Sequence, residues 1–234
     1  MKLYAISDLH LSTTAEKPMD VFGGKWVNYM EKIRADWLEK VDDGDVVLIA
    51  GDVSWAMQLE NAITDIKTLA DLPGKKVLIR GNHDYWWNGI SKIRAELPEN
   101  FYCLQNDCLR FPSVVLCGSR GWVVEGSPDF GEQDKKIYLR EAERLKLAFS
   151  QVGKVRQEGD EIICMVHFPP FNVKRENSLF TEIFEKNGVN KVVYGHLHGR
   201  ESRVDRYLVK NGIEYFLTSC DQVDNKLVFI HEVP

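Results

Sequence analysis

The sequence predicts an α/β fold, and three observations carry that prediction. Short runs rich in Val, Ile and Leu recur along the chain, among them Val46-Val47-Leu48-Ile49, Val77-Leu78-Ile79 and Glu161 to Val166. Bounded by glycine or proline, such runs read as strands buried on both faces. Stretches with apolar residues at helical spacing alternate with the first of them, and that order implies parallel strands joined by right-handed crossovers. At 234 residues and 44% hydrophobic, the chain can bury one substantial core, so a single domain over residues 1–234 is expected.

The elements follow in order. Lys2 to Ser7 alternates like a strand and leads into Asp8-Leu9-His10. If the strand continues to His10, its two-residue period puts Asp8 and His10 on one side. The loop Ser12 to Gly24 holds polar residues, Pro18 and two glycines, and reads as a connection rather than a wall. Trp26, Met30, Ile33, Trp37 and Val41 recur at helical spacing, so about Lys25 to Val41 is expected as a helix with both tryptophans in the core. A second strand ends in Gly51-Asp52. Leu59, Ile63, Ile66 and Ala70 give the next helix, closed by Pro73-Gly74, and the third strand delivers Gly81-Asn82-His83-Asp84.

Beyond Asp84 a helix is expected over about Gly89 to Leu97. Phe101 to Leu104 and Val114 to Cys117 read as strands that start a second sheet. Gly118 to Glu132 lacks periodicity and reads as a long loop, and Asp134 to Val152 as a charged surface helix. The strand Glu161 to Val166 runs into His167 and is stopped by Pro169-Pro170. Phe180, Ile183 and Phe184 mark a short helix. Lys191 to Tyr194 is a strand ending in Gly195-His196-Leu197-His198. Tyr207 to Val209, Ile213 to Thr218 and Lys226 to Glu232 are expected as an antiparallel finish to the second sheet.

Composition narrows the function. A formal charge of -5 argues against a general nucleic-acid-binding surface. Five cysteines form no close-spaced pair, which excludes a thiolate zinc site or redox dithiol and points to reduced thiols. With a strand starting at Lys2 there is no room for a leader, and no apolar run approaches the ~18 residues of a membrane span. A soluble cytoplasmic protein with no membrane partner is the expectation.

Five of the six histidines fall at strand ends, beside Asp8, Asp52, Asn82 and Asp84. Open α/β sheets place their ligands there. Glycine just before a functional residue, at Gly51, Gly81 and Gly195, allows a sharp turn or a close backbone approach. Taken singly, Asp52, Asn82 and Asp84 read first as helix N-caps and His167 as a core histidine; together they read as one site.

The ordered set of Asp-x-His, Gly-Asp, Gly-Asn-His-Asp, a lone His and Gly-His-x-His resembles the calcineurin-like metallophosphoesterase family over residues 8–198. The resemblance implies a four-layer α/β/β/α sandwich of two mixed sheets flanked by helices. It also implies one metal held by Asp8, His10, Asp52 and His198 and a second held by Asp52, Asn82, His167 and His196, with Asp52 bridging. Imidazole with carboxylate suits Mn, Fe, Zn or Co. Two divalent ions would share a water, lower its pKa and clamp phosphate oxygens for in-line attack by hydroxide. His83 is implied as general acid, with Asp84 orienting it.

The activity so implied is hydrolysis of a phosphomonoester or phosphodiester. With no recognition domain evident, a small phosphorylated substrate is expected. A protein serine/threonine phosphatase is the alternative within enzymes, and a non-catalytic scaffold of the same fold the alternative outside them. Asn82 and Arg200 are candidate substrate contacts, Arg200 being equally readable as a surface ion pair. Trp55, Trp86 and Trp87, and the segment Phe168 to Phe171, read as core before pocket wall.

Overall fold

A computed structural model of the chain describes residues 1–14, 17–199 and 205–233. The first sheet holds β1 (Lys2–Ile6), β2 (Val46–Ile49), β3 (Lys75–Leu78) and β4 (Phe101–Cys103), all parallel. The crossovers carry α1 (Tyr29–Lys40), α2 (Leu59–Lys67) and α3 (Ile90–Glu96). The second sheet opens with the hairpin β5 (Cys108–Phe111) and β6 (Val114–Gly118), then α4 (Glu132–Val155), β7 (Glu161–Met165), α5 (Leu179–Lys186) and β8 (Lys191–Tyr194). β9 (Tyr207–Lys210), β10 (Ile213–Leu217) and β11 (Val228–Glu232) complete the chain. Strand orders are β11-β1-β2-β3-β4 and β5-β6-β7-β8-β10-β9.

Alternation along the strands builds the layers. Tyr4 and Ile6 of β1 face α1 and α2 in one apolar cluster, whereas Leu3 and Ala5 face the other sheet with Leu116, Ile163 and Val193. On the far side, Ile162, Cys164 and Val192 pack against Leu145 and Phe149 of α4 and Phe184 of α5. The result is the four-layer α/β/β/α sandwich with two mixed sheets.

Several expectations change. β4 extends the first sheet beside β3 instead of starting the second, and the second sheet begins with β5, which the sequence reading missed. β5 carries Cys108, Leu109 and Arg110, and only Phe111 is buried, so it has no buried apolar run to read. β10 runs parallel to β8, and β11 leaves the second sheet to pair antiparallel with β1. There it covers an edge of the first sheet whose backbone groups would otherwise lack partners.

The first helix also starts late. Two 3-10 turns, Met19–Phe22 and Gly24–Trp26, precede it, and left-handed Asn28 separates Trp26 from α1. Gly23 and Gly24, both at positive φ, break the helical path. Both tryptophans are buried as expected. The cysteines are free, and all but Cys108 are buried. Among the described residues no helix is long and apolar enough to cross a membrane.

Candidate metal centre

The strands of both sheets end at one edge of the sandwich, and the histidines gather there. The β1 and β2 loops stay paired past the last residues of their strands. Asp8 N donates to Gly51 O, His10 N to Asp52 O and Leu11 N to Val53 O, at 2.9–3.0 Å. Asp8, His10 and Asp52 nevertheless have φ of 60°, 47° and 51°, and His196 has 72°. Asp8 and His10 therefore meet through left-handed turns and not by continuation of the strand. Each such residue costs on the order of 1 kcal/mol or more, and residues held this way cluster at functional sites.

The glycines before the ligands have the role expected of them. A Cβ on Gly81 would lie 2.1 Å from Asp52 Oδ1, and one on Gly195 would lie 2.3 Å from Ser7 Oγ and 2.5 Å from Asp8 Oδ2. One on Gly51 would meet His167 Nδ1 at 2.6 Å. Any side chain at these positions would push the ligand carboxylates and imidazole apart.

All seven expected ligands converge. Asp52 Oδ2 lies 3.8 Å from His10 Nε2 and 3.4 Å from His167 Nε2, so one carboxylate oxygen sits between two imidazoles. Asn82 Oδ1 lies 2.8 Å from His167 Nε2 and 2.9 Å from His196 Nδ1. His198 Nε2 is 3.1 Å from Asp8 Oδ1, and Asp8, His10 and His198 bring ligand atoms within 4.8 Å of one another, as do Asp8, Asp52 and His167. Atoms that bind an ion at about 2.0–2.2 Å lie about 3 Å from their neighbours around it, so nitrogen and oxygen donors at this spacing fit divalent transition metals. Asp52, Asn82 and Asp84 cap no helix; the caps are Gln58 for α2 and Gly89 for α3.

The charges divide in the same way. Burial pushes Asp8 up, but the hydrogen bond and charge of His198, with His167 and His10, outweigh it and hold the carboxyl well below the usual range. Burial lowers His167 and His198, yet Asp52 raises the first to about 9, and hydrogen bonds to Asp221 and Asp8 raise the second to about 10. Burial holds His10 and His196 down to about 4. Proton-binding and neutral imidazoles thus share one carboxylate-lined cluster.

His83 is half-buried beside this cluster. Its backbone N–H donates to Asp52 Oδ1 at 2.8 Å, its ring packs against Trp55 at 4.4 Å, and its Nδ1 is buried without a hydrogen bond. Burial lowers its proton affinity and Asp52 pulls it back up. Asp84 makes no hydrogen bond to the His83 ring. Its carboxylate accepts from Val53 N, Ser54 N, Gly81 N and Trp86 Nε1 at 2.7–3.2 Å, tying the Asp52 loop to the Asn82 loop. A side chain that turns back to its own loop cannot also reach forward, so Asp84 orients His83 through the backbone only.

The aromatic residues sort into both readings. Trp86 and Trp87 are core. Trp55 stacks on His10 at 4.7 Å and 18°, and Phe168 packs on His196 at 4.1 Å, so these two rings border the site. Arg200 lies outside the described residues. His231 pairs with Glu161 at 3.5 Å, away from the centre. The sequence reading missed Asp221, which is buried and whose Oδ1 lies 2.8 Å from His198 Nδ1 while its Oδ2 accepts from Gly199 N at 3.0 Å. Its signal was present: a carboxylate just beyond a strand end, as at Asp8 and Asp52.

Comparison with known proteins agrees with this geometry. The family model described as calcineurin-like phosphoesterase matches residues 1–200, and the chain belongs to that family. Among solved structures, TT1561 of Thermus thermophilus is similar with a TM-score of 0.58 at 11% identity, over 98% of this chain and 97% of that one. A protein of unknown function, AQ665 from Aquifex aeolicus, gives 0.51 at 16% identity, over 97% and 95%. At such identities these two share the fold alone. The search of curated proteins gives no match.

Proposed function

We propose that this chain is a cytoplasmic, dinuclear metal-dependent phosphohydrolase acting on a phosphomonoester or phosphodiester of a small molecule. The observation that carries the reading is Asp52 Oδ2, set between His10 Nε2 and His167 Nε2 as a carboxylate shared by two ions would be. Asp8, His10, Asp52 and His198 would hold one ion, and Asp52, Asn82, His167 and His196 the other. Bound there, the pair supplies Lewis acidity for phosphate oxygens and a water acidic enough to attack near neutral pH.

The chain's own residues do the rest. Buried Asp8 and Asp52 fix the charge of the cradle, and Asn82 adds a neutral oxygen, so a loaded site keeps net positive charge for an anionic ester. His83, beside Asp52 and against Trp55, is placed to give a proton to the leaving oxygen. Burial favours release of that proton and the Asp52 charge opposes it. That the seven ligands and His83 are all in place supports an enzyme over a scaffold.

The test is to strip the metals, restore Mn²⁺, and compare hydrolysis of an aryl phosphomonoester and an aryl phosphodiester, with His83→Ala alongside. Metal-dependent turnover is expected on at least one ester. A protein that binds two ions per chain and hydrolyses neither would overturn the reading.

A further inference from the structure

Three arginines meet around one buried carboxylate on the second-sheet side of the metal centre. Arg120 follows the end of β6, and its carbonyl accepts from His167 N at 2.9 Å and Phe168 N at 3.2 Å. Its guanidinium lies over the Trp122 ring at 4.5 Å and donates to buried Glu141 at 3.0 Å. The same Glu141 oxygen also accepts from Arg144 at 2.7 Å and faces Arg140 at 3.9 Å. One oxygen of Glu141 thus faces three arginines, and Glu141 makes no ion pair with Arg80.

Arg80 stands two residues before Asn82, a separation of at most about 7 Å along the chain. Among the described residues it is the one arginine with neither a hydrogen bond nor an ion pair, although Arg34, Arg94, Arg110, Arg175 and Arg206 each have a carboxylate. The two are linked through the site itself: Arg120 O accepts from His167 N at 2.9 Å, and His167 Nε2 lies 2.8 Å from the Oδ1 of Asn82, two residues beyond Arg80. The Nε atoms of Arg80 and Arg120 are both buried and both lack an acceptor. Leaving such donors unmet is costly, and two guanidinium charges on one side of the site add to that cost. A bound anion removes both penalties, and planar guanidinium groups match the geometry of phosphate oxygens.

We propose that Arg80 and Arg120 form a second anion subsite beside the metal centre that holds a second phosphate of the substrate. The substrate class is then a small molecule with two phosphates, and not a simple monoester. The subsite rests on the phosphohydrolase reading for the place of the first phosphate. It lies where Phe168 joins the two regions, packed on His196 at one side and on Trp122 at 4.8 Å on the other.

The experiment is titration calorimetry on the Mn²⁺-loaded full chain with propyl phosphate, propyl diphosphate and propane-1,3-diol bisphosphate. At least one doubly phosphorylated probe is expected to bind about tenfold or more tighter than propyl phosphate, the equivalent of one charge-assisted hydrogen bond. Which of the two wins reports the spacing of the phosphates. Arg80→Gln, a change at a half-buried residue without partners, is expected to erase most of that advantage, with its fold checked by circular dichroism. Equal binding of all three probes by the wild type, or an advantage unchanged in folded Arg80→Gln, overturns the proposal. Phosphate release from the two doubly phosphorylated probes on the same samples separates the two readings: a calorimetric advantage without release refutes the hydrolase and leaves anion binding by Arg80 and Arg120 standing.

Discussion

The two halves of the metal centre orient their imidazoles by different means. In the half built on Asn82, His167 Nδ1 meets the Ala50 carbonyl at 2.9 Å, so a backbone acceptor fixes the ring. In the half built on Asp8, the two histidines differ from each other. His198 is backed by the Asp221 carboxylate, but His10 Nδ1 is buried with no hydrogen bond, and the ring is held by its stack on Trp55. A ligand backed by a carboxylate or carbonyl has its tautomer and angle set by a directional bond. One held by a ring is set by shape alone. The difference teaches that the Asp8 half depends on neighbours outside the motifs, one polar and one aromatic.

The severest break removes what the halves share. Asp52→Asn keeps the shape but weakens the bridge, and both ions are expected to be lost together, with activity falling by roughly a thousandfold or more, several kcal/mol of barrier. Metal content per chain and turnover measure this; retention of one tight ion would show that the halves are independent. His83→Ala comes next, with a loss on the order of 10²–10⁴-fold at unchanged metal content.

Two milder changes sharpen the contrast within the Asp8 half. Asp221→Asn removes the charge behind His198 and is expected to weaken one ion by about 10–100-fold, the other staying bound. Trp55→Leu removes the stack on His10, and an aromatic pair worth about 0.5–1.5 kcal/mol predicts a loss of roughly tenfold or less in affinity for the same ion. Competition with a chelator reads both, and a larger effect from Trp55 would reverse the ranking of polar over aromatic support.

An effect on stability alone lies at the far end of β3, where fully buried Lys76 donates to the Leu72 carbonyl and faces the Phe101 ring at 5.4 Å. Burial lowers its pKa to about 8, against the pull of Asp71 and Asp43. The unfolded chain then holds more protons between about 8 and the ordinary value of 10.5, so unfolding free energy rises with pH across that window. Lys76→Met is expected to flatten that rise and to add about 1–2 kcal/mol of stability at neutral pH. Thermal melts from neutral pH to about 10 check the sign.

The ligand set was legible because its residues are chemically distinctive and sit where apolar runs stop. Val46 to Ile49 and Val77 to Leu78 are strand in both sequence and structure, and each fixes the position of the polar residues just beyond it. The backbone at Asp8, His10, Asp52 and His196 was not legible, since left-handed residues leave no mark on composition when they are not glycine. β5 and β11 were missed or misassigned for a related reason: short edge strands carry little burial, and their partners are chosen by which edge needs covering. Asp84 was misread because a carboxylate beside a histidine in sequence need not face it in space. Arg80 and Arg120 fall 40 residues apart, and only the stacking of β3 near β6 makes neighbours of them.

The pairing of β11 with β1 has a consequence for synthesis. Asp8 and His10 leave the ribosome well before His198, Asp221 and the strand that seals the edge beside them. A nascent chain that has folded β1 to β4 already presents Asp8, His10, Asp52 and Asn82 without their later partners. The cluster is thus completed only once residues through β11 have emerged, so products truncated before His167 carry half a cradle.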